Sequence, residues 1–308
     1  MDSAEKENLL TRITVVIPTY NRAEALSRAL ASLCKQTLSD FQVVISDNCS
    51  TDGTDTVVAD FQNRLSINYL KASENFGPIP NWERGLRAVT TEWVKILWSD
   101  DWLEPSALED LIGIIDRNGV DVALCGSFGH LSSGIVPWVS EGFENENWVQ
   151  LVSRIIVGTV PVSATAGLLR TSAALEGLRS NILDSFAYTT AIGPDLIMLY
   201  WPAITGGTVG YIDEPLVNMC AGDDSISVIR SAQLRPLYSH AVLMACQYGN
   251  FRINRYDRRI LEHRVREGVL LKRIPELQGT FGKISFFIAI TTWPTMILRR
   301  YWTRIINR

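Results

Sequence analysis

At 308 residues, with 46% hydrophobic and 20% charged side chains, the chain has a globular composition, which excludes a disordered or fibrous protein, and room for one large or two small domains. Its five cysteines, at 34, 49, 125, 220 and 246, are odd in number and form no C-x-x-C pair, so neither a zinc knuckle nor a disulfide framework is expected and a reducing, cytoplasmic setting fits. The net charge of −4 divides unevenly: residues 1–250 carry 16 Lys+Arg against 29 Asp+Glu, a balance of −13, while residues 251–308 carry 13 against 4, a balance of +9. The acidic body argues against a nucleic-acid partner, and the basic end suits an anionic surface.

The opening "MDSAEKENLL" is acidic and lacks an apolar run, so no secretory signal is expected, and residues 1–12 read as an N-terminal extension. Short β-branched runs then alternate with amphipathic stretches. "ITVVI" (13–17), "FQVVIS" (41–46), "SINYL" (66–70), "WVKILW" (93–98) and "VDVALCG" (120–126) predict strands. Helical patterns lie between them at about 22–35, 54–63, 79–90 and 105–117. This alternation predicts an α/β fold with a mostly parallel central sheet, right-handed crossovers and helices on both faces.

The second half is less regular. A helix near 144–157, a strand near 163–169, a helix from about 195 to 201 and the extended "TVGYIDEPLVNM" (208–219) predict a mixed extension that completes a second wall. From 229 to 308 the pattern is helical, with helices at 231–248 and 255–273. The apolar run Ile284 to Leu298 is broken by Thr291, Thr292 and Pro294, and is shorter than the roughly 20 residues that span a bilayer. Arg299, Arg300, Arg304 and Arg308 follow, interleaved with Tyr301 and Trp302. Cations and aromatics beside an apolar face describe an interfacial anchor on an anionic membrane surface, here the inner face of the cell membrane. The alternative is a helix docked on the protein's own core or on a second copy, giving a homo-oligomer through the C-terminal helices.

In an open α/β sheet the ligand site lies beyond the carboxyl ends of the strands. Those ends read "PTYNR" (18–22), "SDNCSTDGT" (46–54), "ENFGPIPNW" (74–82) and "SDD" (99–101), all polar or glycine-containing. The first loop lacks the G-x-G-x-x-G that lets a backbone approach a dinucleotide pyrophosphate, which excludes NAD and FAD. No G-x-S-x-G elbow occurs, and the three histidines (130, 240, 263) lie outside these loops, so triad hydrolysis is poorly supported. Asp47 can accept from a ribose hydroxyl or a base N–H, or can cap the turn that follows it. Adjacent Asp100 and Asp101 at a strand end are either a solvated helix-opening turn or part of a site for Mg2+ or Mn2+, which take one or two carboxylates and leave the rest to water and phosphate.

Taken together, "TVVIPTYNRAEALSRALASL", "VVISDNCSTDGT", "ENFGPIPNWERGL" and "WSDDWLEPSAL" resemble the nucleotide-diphospho-sugar glycosyltransferases of the GT-A fold, family 2, over residues 13–228. The resemblance implies an inverting, metal-dependent transfer from a nucleotide diphosphate sugar donor to a glycan or glycolipid acceptor. It puts Pro18, Thr19, Tyr20, Arg22, Asp47, Asn75, Gly77 and Asn81 on the donor, Asp100 near the ribose and Asp101 on the metal. Trp98 stands where such enzymes often carry a further aspartate. "AIGPDLIMLYW" (191–201) resembles the segment that bears the catalytic base, which implies Asp195, with Pro194 replacing the usual preceding acid. Pro194 leaves open a nucleotide-sugar-binding protein without turnover. Asp223 and Asp224 fall in the stretch that in relatives closes over the donor, and a solvated loop is expected there.

Overall fold

A computed structural model describes residues 11–131, 134–140, 146–160, 163–220 and 226–271. The expectations for the N-terminal extension, for Asp223 and Asp224, and for the basic tail 283–308 lie outside the described residues. In chain order the first half contains β1 (Ile13–Thr19), α1 (Ala23–Leu33), β2 (Phe41–Asp47), α2 (Thr54–Phe61), β3 (Ile67–Lys71), α3 (Pro78–Arg87), β4 (Trp93–Ile96), β5 (Trp102–Leu103), α4 (Ala107–Asn118) and β6 (Val122–Leu131). The second half contains β7 (Gly134–Trp138), α5 (Trp148–Val157), a 3-10 turn (Ala164–Ala166), β8 (Gly167–Arg170), α6 (Thr171–Arg179), α7 (Ser185–Thr190) and α8 (Pro194–Ile204). It ends with β9 (Val209–Cys220), α9 (Ile226–Ile229), α10 (Ser231–Tyr248) and α11 (Arg255–Leu270).

The strands form one sheet in the order β3-β2-β1-β4-β8-β6-β9-β5, with β7 paired to β6. β3, β2, β1 and β4 run parallel, as the alternating pattern predicts. The other side of the sheet is mixed. β8 runs antiparallel between β4 and β6, β9 runs parallel to β6, and β5 pairs antiparallel with β9. The chain reverses its winding between β1 and β4, which is where a ligand crevice opens in such sheets.

Alternate residues of each parallel strand feed opposite layers, as the period of two demands. Val15, Ile17, Val43 and Ile45 pack under α1, α2 and α4, whereas Val16, Val44, Val94 and Ile96 pack under α3, α5 and α8. Helix α3 lies close to the sheet because residue 85 is glycine: a Cβ there would meet Val16 Cγ1 at 2.8 Å and Ser46 Cβ at 3.1 Å. Helix α8 is buried along its whole length, Pro194 to Ile204, a central helix wrapped by α6 and α10. Among the described residues, no helix is long and apolar enough to cross a membrane.

Candidate active site

The four parallel strands end at one edge of the sheet, and the loops beyond them are stitched together. Asn21, in the left-handed region at φ 50°, receives a hydrogen bond on its side-chain oxygen from the Thr51 N–H at 2.9 Å, while its own N–H donates to Ser50 Oγ at 2.8 Å. The Ala23 N–H donates to Asp52 at 2.8 Å, so the first two loops form one unit at the start of α1. Pro18 ends β1 beside Thr19, which is 3% exposed and whose hydroxyl has no protein partner among the described residues. A buried, unpartnered hydroxyl at a strand end is suited to a ligand. Tyr20 stands exposed next to it.

Asp47 is fully buried. Its Oδ1 accepts from the Ser50 N–H at 2.9 Å and the Ser50 hydroxyl at 2.5 Å, and its Oδ2 accepts from the Tyr69 hydroxyl at 2.7 Å. In this state it caps the turn, the second of the two roles read from the sequence. Asn75 accepts from Asn48 Nδ2 at 2.7 Å and from the Gly77 N–H at 2.9 Å. Gly77, at φ 86°, then turns the chain into α3 with Pro78 at its first position.

Asn81 does not face the edge. Its Nδ2 donates to the Ser46 carbonyl at 2.7 Å and its Oδ1 accepts from the Ser46 hydroxyl at 2.9 Å and from Arg84 Nη2 at 2.9 Å, so its amide braces the end of β2. Arg84, which the sequence did not single out, donates to the carbonyls of Asp47 at 2.6 Å and Leu70 at 3.1 Å, tying β2 and β3 to α3.

Beyond β4 the two adjacent aspartates part. Asp100 pairs with Arg22 across the crevice at 2.5 Å, and Arg28 Nη2 donates to its carbonyl at 3.2 Å. Asp101 turns inward, 5% exposed, accepting from the Cys220 N–H at 3.1 Å. Burial and the neighbouring Asp100 charge raise its pKa far above the ordinary carboxylate value. A carboxylate held so is one that a divalent cation would stabilise. Among the described residues no cluster of three or more His, Cys, Asp or Glu side chains exists to enclose a metal. Trp98, in the place of the further aspartate, stacks on Trp82 with ring centroids 4.6 Å apart and donates through Nε1 to Ser163 at 3.0 Å.

Asp195 sits apart from these loops, at the first turn of α8. Gly193 caps the helix at φ 105° and Pro194 opens it, as their order predicts. The carboxylate is 5% exposed; Oδ1 accepts from the Gly193 N–H at 3.0 Å and Oδ2 from the Tyr238 hydroxyl at 2.7 Å. Burial pushes its pKa up to about 6, with the Tyr238 bond and the helix-end N–H groups opposing the rise. Tyr238 also lines a cavity of about 310 Å³ whose wall includes Trp138, Ser163, Val242, Leu261 and Arg264. Ser163 in its wall takes the Trp98 indole N–H and Tyr238 bonds Asp195, so the cavity is lined by partners of both segments, though by none of the three carboxylates.

An α/β sheet that gathers polar loops from parallel strands at one edge, beside an acidic strand-end turn and a second acidic helix start, defines the GT-A class of fold. The sequence profile of Glycosyl transferase family 2 matches residues 14–167, half of the chain, and the chain belongs to that family. Poly(ribitol-phosphate) beta-N-acetylglucosaminyltransferase TarS of Staphylococcus aureus (strain Mu50) is 31% identical over 129 residues, 41% of this chain and 22% of that protein. Chondroitin synthase of Escherichia coli is 30% identical over 125 residues, 37% of this chain and 18% of that protein. The matched segment thus spans about a fifth of the length of these curated relatives. Among solved structures, S. aureus TarS 1-349 in complex with UDP-GlcNAc superposes with a TM-score of 0.61 at 20% identity, covering 89% of this chain and 77% of that one. The mannosyltransferase PcManGT from Pyrobaculum calidifontis, in complex with GDP-Man and Mn2+, gives a TM-score of 0.53 at 17% identity, covering 95% and 83%. At those identities the likeness is one of fold.

Proposed function

We propose that the protein is an inverting glycosyltransferase that takes a sugar from a nucleotide diphosphate donor bound at the ends of β1 to β4. The observation behind this is the meeting of Thr19, Arg22, Asp47, Asn75 and Asp100 at one edge, with Asp101 beneath. Thr19 offers an unpartnered hydroxyl, and Arg22 a cation already turned toward the crevice by Asp100. Asp101 is the residue that would hold Mn2+ or Mg2+, and such an ion offsets charge on the departing diphosphate. That one relative was solved with a nucleotide sugar and another with Mn2+ supports the donor class and the ion.

The acceptor would enter through the cavity bordered by Tyr238 and Ser163. Its hydroxyl oxygen bonds to the anomeric carbon as the bond from that carbon to the diphosphate breaks, the electron pair leaves with the diphosphate, and the hydroxyl proton passes to Asp195. Tyr238 orients the Asp195 carboxylate, leaving it a lone pair for that proton. With a pKa raised to about 6, Asp195 remains ionised at pH 7 and is a better base than an ordinary carboxylate. A lipid-linked glycan at the inner face of a membrane is the acceptor class that the basic, aromatic tail favours.

The test has two parts. UDP, GDP and their sugar conjugates are screened for thermal stabilisation with and without Mn2+, and the conjugate that stabilises most is offered with glycan acceptors. Stabilisation by one nucleotide and transfer that disappears in Asp195→Asn are expected. Stabilisation without transfer to any acceptor would favour the binding protein without turnover, and no stabilisation by any nucleotide would remove the donor site.

A further inference from the structure

Lys95 is the only buried Lys or Arg among the described residues, and it is fully buried in the middle of β4. A core ammonium is costly unless its protons are all used. Here Nζ donates to the carbonyls of Thr165 and, at 3.2 Å, of Gly167, so its bonds go to the 3-10 turn and the start of β8 rather than to a carboxylate. Thr165 is itself fully buried. Its hydroxyl accepts from the Trp98 N–H at 3.2 Å, and the Trp98 carbonyl accepts from the Asp101 N–H at 3.0 Å, so Thr165 braces the turn that ends in Asp101. Ser163, two residues earlier, takes the Trp98 indole N–H at 3.0 Å. Segment 163–167 thus grips the turn after β4 by its backbone and its indole, and β4 grips that segment in return through Lys95.

We propose that Thr165 and Lys95 are positioning residues that fix the Asp101 carboxylate in the orientation needed to share a divalent cation with the donor diphosphate. This rests on the donor site proposed above. Thr165 acts on Asp101 through the Trp98–Asp101 turn, and Lys95 acts through Thr165. Neither reaches the nucleoside loops at β1 to β3, so their influence is confined to the ion-dependent part of binding. Removing an outer partner of a metal ligand typically costs on the order of 10–100-fold in metal affinity or activity.

The experiment measures the Kd of UDP or GDP, whichever stabilises the wild-type protein, by calorimetry in EDTA and again in Mn2+. The ratio of the two is the readout, and it requires no turnover. Thr165→Val is expected to shrink that ratio by roughly 10-fold or more while leaving the Kd in EDTA unchanged. Thr165→Ser, which keeps the hydroxyl, restores it, and Lys95→Met lowers it in the same direction. A full Mn2+ effect in Thr165→Val, or none in Thr165→Ser, overturns the role of Thr165; a full effect in Lys95→Met overturns that of Lys95. If Thr165→Val does not fold, the Ser and Met variants decide. A wild-type protein whose nucleotide binding ignores Mn2+ would instead remove Asp101 as an ion ligand, and this proposal with it.

Discussion

At the residue scale, the two carboxylates to which we assign chemistry are both buried, but only one has a second carboxylate beside it. Asp101 lies beside Asp100, which adds to the burial penalty on its charge, whereas Asp195 has Tyr238 and the Gly193 N–H to soften it. For Asp101→Asn, the extra stabilisation that Mn2+ gives to bound nucleotide is expected to vanish, read as equal melting temperatures with Mn2+ and with EDTA. For Asp195→Asn, nucleotide affinity is expected to hold while transfer falls by about 10²–10⁴. The sign of the pH dependence follows from the base's role. Only the ionised carboxylate takes a proton, so kcat/KM should be level above about pH 6 and fall as pH drops through that value. Tyr238→Phe removes a bond that favours the charged form, so the same descent should move to higher pH; an unmoved profile would separate Tyr238 from the base.

At the element scale, α3 braces the proposed donor edge by lying close to β1 and β2 at Gly85. Alanine at position 85 would gain about 1 kcal/mol of helix propensity, but its Cβ would collide with Val16 and Ser46, and overpacking of this kind costs roughly 1–3 kcal/mol. Packing wins, so Gly85→Ala is expected to lower the denaturation midpoint and, by pushing on the Ser46–Asn81 brace, to weaken nucleotide binding. The parallel strands and their helices were legible because period-two and period-3.6 patterns are local properties of the chain. The antiparallel half was not, because β8 is inserted between β4 and β6 by tertiary pairing that no local pattern announces. The strand expected at 163–169 opens as a 3-10 turn and becomes strand only at Gly167; the helix expected from 144 is described from Trp148 onward; α6, α7 and exposed β7 carried too little periodicity to be seen. Asp195 was singled out because "AIGPDLIMLYW" resembles the family's base-bearing segment, but Tyr238, 43 residues further on in α10, gave no signal. Lys95 carried no signal within the run at 93–98, and Asn81 was read as a ligand contact, since sequence does not say that Ser46 consumes its amide.

At the scale of the whole molecule, charge divides along the sequence, with a balance of −13 over residues 1–250 and +9 over 251–308. Part of that basic charge belongs to α11, where Arg258 and Arg266 share the single carboxylate of Glu262, so one of the two charges is answered within the helix. Lys272, Arg273, Lys283, Arg299, Arg300, Arg304 and Arg308 follow it and carry most of the remaining excess. We propose that this segment holds the enzyme at an anionic membrane surface and so brings a lipid-linked acceptor to the cavity. Each cation near such a surface contributes on the order of 1 kcal/mol, screened within a Debye length of about 8 Å at physiological salt. Cosedimentation with vesicles containing phosphatidylglycerol should therefore be strong at low salt, fall steeply as salt rises, and be absent with neutral phosphatidylcholine vesicles. Removing residues 281–308 should abolish it while leaving nucleotide-dependent thermal stabilisation unchanged, because the donor edge is built from residues 13–101. Equal vesicle binding by the shortened chain would move the attachment elsewhere, whereas a salt-insensitive interaction would mean that the apolar run from Ile284 to Leu298 inserts and the arginines only flank it.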